Sequence, residues 1–195
     1  MEQHSQTEDS TRSREILEDQ LRECFGRAVY SHKTHEKCAD ILLARGHSLR
    51  LFQIALSAIT TAGFVSVFFG SGNTGAAIGA CVSTVLLCIN AYMKNYDLAD
   101  LAQKHRQAAS EIWLVREQML SLLVDLKMGQ RPIEQLQSCR DKLTSQLHKA
   151  YGKAPSTTAK AYKEAQMALK YSEELSFGAD ELDSLLPASL RRHTA

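Results

Sequence analysis

Between Arg50 and Lys94 the chain has no Asp, Glu, Lys, Arg or His, a gap of 43 residues in a sequence that is otherwise rich in charge, at 23% overall. A soluble helix keeps a wet face with charges on it, so a run of this length cannot be an ordinary surface element. It divides into "LFQIALSAITTAGFVSVFFG" (residues 51–70), the tip "SGNTG" (71–75) and "AAIGACVSTVLLCINAYM" (76–93). At 1.5 Å rise per residue, each arm reaches across roughly the 30 Å hydrocarbon core of a bilayer. The tip is too short for anything but an antiparallel return. Arg45 and Arg50 precede the first arm and Lys94, Lys104 and Arg106 follow the second, while the tip is uncharged. This asymmetry places both ends on the cytoplasmic side of a two-span hairpin, with Phe52, Tyr92 and Tyr96 at interface level. The alternative is a hairpin buried in a soluble bundle, which would need two consecutive helices without one charge.

The tip raises a competing reading. Gly70, Gly72 and Gly75 satisfy G-x-G-x-x-G after a β-branched and aromatic run, as in dinucleotide-binding turns. Asp97 falls near the position of the ribose-binding acid. The preceding apolar run is too long for one strand, however, and the following helix has no wet face. A phosphate loop fails outright, because Ala76 and Ala77 stand where lysine and a hydroxyl are required. The glycines are better suited to a polar turn and to close helix packing.

Elsewhere the spacing is helical and no alternating strand pattern occurs, so the expected class is all-α. Residues 14–50 form an amphipathic helix with Leu17, Leu21, Cys24, Phe25, Ala28 and Leu42 on one stripe, and Gly46-His47-Ser48 marks an expected kink. Residues 94–176 continue as helices, the first terminated by Gly129 and the next begun at Pro132, with Ser156 or Thr157 as a later cap. Residues 1–13 are expected to be a disordered tail without a signal-peptide pattern, and residues 177–195 a second tail.

The arms carry polar and small residues. Gln53, Ser57, Thr60 and Asn90 are candidates to line a pore; the alternative is that the amides join helices and the hydroxyls bond back to their own helix. Ala58, Ala62, Ser66 and Gly70 at four-residue steps, and Gly75, Gly79 and Ser83, form ridges that allow close packing, within or between hairpins. Two spans cannot enclose a water path, so a pore implies a homo-oligomer.

Little else points to chemistry. Net charge is +1, and no basic-aromatic surface suggests nucleic acid. The five cysteines have no CxxC pair, which suits a reducing compartment. His32 and His35, near Cys38, lack a matching ligand cluster and read as solvated or helix-packing residues, and Trp113 as a packing residue. No nucleophile with its base and no paired acids occur. An enzyme, a cofactor and a metal are not expected.

The stretch "CFGRAVYSHKTHEKCADILLARGHSLR" entering the hairpin and "KNYDLADLAQKHRQAASEIWLVREQMLSLLVDL" leaving it resemble the SLATT family, the SMODS- and SLOG-associating two-transmembrane effectors of bacteria. The resemblance covers roughly residues 16–175 and rests on layout and helix-flank character. It implies an inner-membrane effector of a conflict or anti-phage system, triggered by a nucleotidyltransferase or SLOG-type sensor, that assembles and permeabilises the membrane.

Overall fold

All three prolines lie after residue 131, so nothing before that point forces a helix to stop by steric clash. In the computed structural model the first helix, α1 (Glu2–Phe68), is 67 residues long and carries the chain from the charged region into the uncharged one without a break. The structure describes residues 2–68, 73–172, 174–175, 177–187 and 191, with the side chains of 2–10, 66–68, 73 and 179 outside that set. α2 (Asn73–Asn95) returns along α1, and α3 (Leu98–Met128), α4 (Ile133–Lys153), α5 (Ala159–Lys170) and α6 (Ala179–Leu185) follow, with no strand among the described residues.

Two expected features fall within α1. Its start at Glu2 falls inside the segment expected as a disordered tail, a run without glycine or proline to break a helix. The helix is continuous through Gly46-His47-Ser48, the position of the expected kink. Gly46 faces the start of α3: a Cβ there would lie 4.0 Å from the Leu98 Cβ, an ordinary contact.

Local chemistry explains the other boundaries. Asp97 is the N-cap of α3, its Oδ1 accepting from the backbone N–H of Ala99 at 3.0 Å and of Asp100 at 2.9 Å. The acid that lends the glycine motif its nucleotide reading is thus occupied in starting a helix. Gly129 ends α3 in the left-handed region at φ 69°, which favours glycine. Pro132 stands at the N-cap of α4. Thr158, one residue beyond the expected cap, accepts from Ala161 N–H at 3.2 Å to begin α5.

Below the hairpin, α1 and α3 pack side by side with α4 across them. Leu17 and Leu21 of α1 meet Val115, Met119, Leu122 and Leu126 of α3 and Leu136 and Leu143 of α4 in one apolar core. Ala28, Ile112 and Ala150 continue it upward. α5 buries only alanines, Ala161, Ala165 and Ala168, which lets it lie close to α1. Leu136 is fully buried, so Leu136→Ala is expected to cost about 2–5 kcal/mol. A lowered melting temperature in detergent, followed by far-ultraviolet circular dichroism, checks this; an unchanged melt would show that α4 adds nothing to the core.

Candidate functional site: the hairpin and its elbow

The hairpin exposes its oil. Phe52, Ile54, Phe64, Ile78, Val85 and Leu87 are all more than half exposed. The most apolar window of the first arm is 0% buried and that of the second 6% buried, unlike the core helix of a soluble protein. Both helices are long and apolar enough to cross a membrane.

The arms meet at a face that the small-residue pattern only half identifies. A Cβ built on Gly63 would stand 3.3 Å from the Gly75 carbonyl oxygen and 3.6 Å from the Gly79 Cα, so the backbones touch there. Gly75 and Gly79 therefore lie at the contact within one hairpin, and their partner is Gly63, which sequence reasoning missed. Its signal was the row Gln53, Leu56, Thr60 and Gly63, which is half-buried against α2. Ala58, Ala62 and Ser83 face outward and are exposed. Gly70 lies outside the described residues, as does the side chain of Ser66.

The polar candidates find partners inside the hairpin. Gln53 Nε2 donates to Asn90 Oδ1 at 2.8 Å, joining the arms near the ends that meet the helical bundle. Ser57 Oγ donates to the Gln53 carbonyl at 2.8 Å and Thr60 Oγ1 to that of Leu56 at 2.9 Å. Thr61 and Thr84 bond back in the same way. At the elbow below, the Arg45 guanidinium lies over the Tyr92 ring, 5.6 Å from its centre, and Tyr92 stacks on Tyr96 at 5.0 Å.

Beneath the elbow, polar side chains are buried where α1 meets α3 and α5. His35 Nδ1 lies 2.9 Å from His105 Nδ1, so one ring donates and the other accepts. Burial, then the nearby His105 and His32, push the His35 ring down to about 4. Burial also lowers His105 and, against the pull of Glu36, His32. Arg116 approaches His32 at 3.5 Å and pairs with Glu117 at 2.6 Å. Glu174, just past α5, clamps Lys33 at 2.6 Å and Lys37 at 3.2 Å, and Lys33 also reaches Glu36 at 2.9 Å. The Lys33 and Lys37 ammonium groups hold Glu174 below the usual carboxylate range. Of this network, the sequence singles out only His32 and His35 and leaves them either solvated or packed; the buried stripe of α1 runs from Leu21 and Ala28 through His32, His35 and Ala39. Among the described residues, no three His, Cys, Asp or Glu side chains gather as metal ligands.

A long helix that links a helical bundle to an apolar, unburied hairpin defines a two-transmembrane-type helical protein. The family model for SMODS and SLOG-associating 2TM effector domain family 4, a SLATT family, matches residues 17–181, and the chain belongs to that family. No curated protein and no solved structure matches the chain.

Proposed function

We propose that this chain is a bacterial inner-membrane effector of a nucleotide-sensing, anti-phage conflict system, which oligomerises on activation and permeabilises the membrane. One observation carries the reading: α1 runs unbroken from the bundle core at Leu17 into the unburied apolar arm, so a change at the bundle reaches the hairpin through a single rigid element. The basic flanks Arg45, Arg50 and Lys94 favour a topology with both termini cytoplasmic. The family name supports association with a separate sensor, a nucleotidyltransferase or SLOG-type protein. Lipid and further copies of the chain are the partners of the hairpin. The exposed faces bearing Ala58, Ala62 and Ser83 supply contacts between copies, and activation breaks the Gln53–Asn90 bond and turns Gln53, Ser57, Thr60 and Asn90 toward a shared path.

The test is induced expression together with the sensor and its trigger, read with a membrane-potential dye. Rapid depolarisation is expected; cells that stay polarised with the trigger present would overturn the effector reading. A second reading, a non-enzymatic scaffold tethered by the hairpin, is favoured by the internal Gln53–Asn90 bond, which satisfies both amides without a pore. Exchange of the hairpin for an unrelated two-span anchor separates the two. Function retained after exchange would establish the scaffold.

A further inference from the structure

An open cleft of about 320 Å³ lies at the elbow between α1 and the α2–α3 turn, with Leu43, Met93 and Leu98 among its apolar walls and His47, Arg50 and Asp97 among its polar ones. Its position is set by the chain: Arg50 is the last charge before the uncharged stretch and Met93 the last residue within it. The cleft therefore straddles the boundary between the apolar hairpin and the charged bundle. Its fixed charges are one cation, Arg50, and one anion, Asp97. Asp97 is committed to capping α3. The exposed side chains of Arg50 and His47, by contrast, make no hydrogen bond or ion pair to another side chain among the described residues, and neither does that of Lys94 just beyond the rim. An arginine that is the last charge before a membrane arm, beside an apolar recess, calls for an anionic group joined to an apolar body.

We propose that the elbow cleft binds an anionic phospholipid of the cytoplasmic leaflet. Arg50 holds the phosphate, His47 donates a second hydrogen bond, and the upper acyl chain lies against Leu43 and Met93. The proposal rests on the membrane-hairpin reading above. A free phosphate ion would use the rim alone and leave the apolar wall empty, so the acyl contact distinguishes the two sources of the same charge.

The full chain, purified in a neutral detergent, is titrated with dihexanoyl-phosphatidylglycerol, dihexanoyl-phosphatidylcholine or inorganic phosphate while its melting temperature is recorded. Only the phosphatidylglycerol lipid is expected to raise the melting temperature saturably. Arg50→Gln is expected to shift the midpoint of that titration about fivefold higher, the loss of one cation at a membrane surface. Gly46→Leu fills the recess from α1, where the Leu98 Cβ at 4.0 Å is the nearest neighbour of an added Cβ, and is expected to abolish the response. An equal response to inorganic phosphate would assign the site to the ion and overturn the lipid. An unchanged response in both variants would place lipid binding elsewhere. Carbonate washing of membranes is run in parallel: release of the chain would overturn the hairpin reading and the bilayer as ligand source, whereas retention without phosphatidylglycerol selectivity would overturn the lipid site alone.

Discussion

Gly63→Leu is expected to pry the hairpin apart. The Cβ alone would sit 3.3 Å from the Gly75 carbonyl oxygen and 3.7 Å from the Gly79 nitrogen, and backbone atoms cannot swing away as a flexible side chain would. Relief requires the arms to separate, and overpacking of this kind costs roughly 1–3 kcal/mol, or a 5- to 150-fold loss of the closed hairpin. The same shift would lengthen the Gln53–Asn90 bond, now 2.8 Å. Cysteines placed at positions 53 and 90, in a background without the native cysteines, report closure by the yield of their cross-link. Gly79→Ala is the control, because a Cβ there meets nothing within 4 Å. A high cross-link yield in the control and a low one in Gly63→Leu is the expected result. Equal yields would mean that the glycine contact does not hold the arms together. In the effector reading, Gly63→Leu also abolishes depolarisation, since a splayed hairpin cannot present one packing face to its neighbours.

Acidification is expected to loosen the bundle below the elbow. The His35 and His105 rings are 4% and 3% exposed and share one hydrogen bond, which survives only while one nitrogen remains a free acceptor. The surrounding charges are Lys33, Glu36 and Asp40 from α1, Arg106 and Arg116 from α3, and Glu174 beyond α5. Burial lowers His35 from its ordinary 6.5 to about 4 in the folded chain. The unfolded chain therefore takes up the proton first. Its stabilising contribution is complete above about pH 6.5 and is lost as pH falls toward about 4, on the order of 3 kcal/mol for this one ring. His32 and His105, lowered in the same direction by burial, add to the slope. Glu36 and Glu174 are also lowered, so they lose their contributions in the same direction but below the ordinary carboxylate value of 4.5. Thermal melts of the full chain from pH 8 to pH 4.5 should show a falling melting temperature. In His35→Leu/His105→Leu, where both partners become apolar together, stability at pH 8 is expected to be nearly retained and the acid slope flattened. Identical slopes would remove the histidine pair as the origin of the effect.

Much of this molecule is one-dimensional information. The uncharged stretch and its basic flanks are enough to predict two apolar arms and their turn, because burying charge in hydrocarbon is costly whatever the fold. Leu17, Leu21 and Ala28 mark the buried side of α1, and Gly129 marks an end, because helical period and left-handed backbone act within a few residues. Rotation of the arms about their own axes is another matter. On a helix that is apolar all round, the pattern does not say which row turns inward. The ridge of Ala58 and Ala62 and the true contact at Gly63 differ by one residue, about 100° of rotation. The same limit hid the partners of the polar groups. Gln53 finds Asn90 37 positions away, His35 finds His105 at 70, and Lys37 finds Glu174 at 137. The sequence alone thus determined the all-helical class, the paired apolar arms and the side of α1 that is buried. Only the tertiary structure decided which glycine joins the arms, which polar side chains satisfy each other, and that a cleft opens where the arms meet the bundle. Those choices depend on how helices far apart in the chain come to lie against one another, and local preference carries no trace of that.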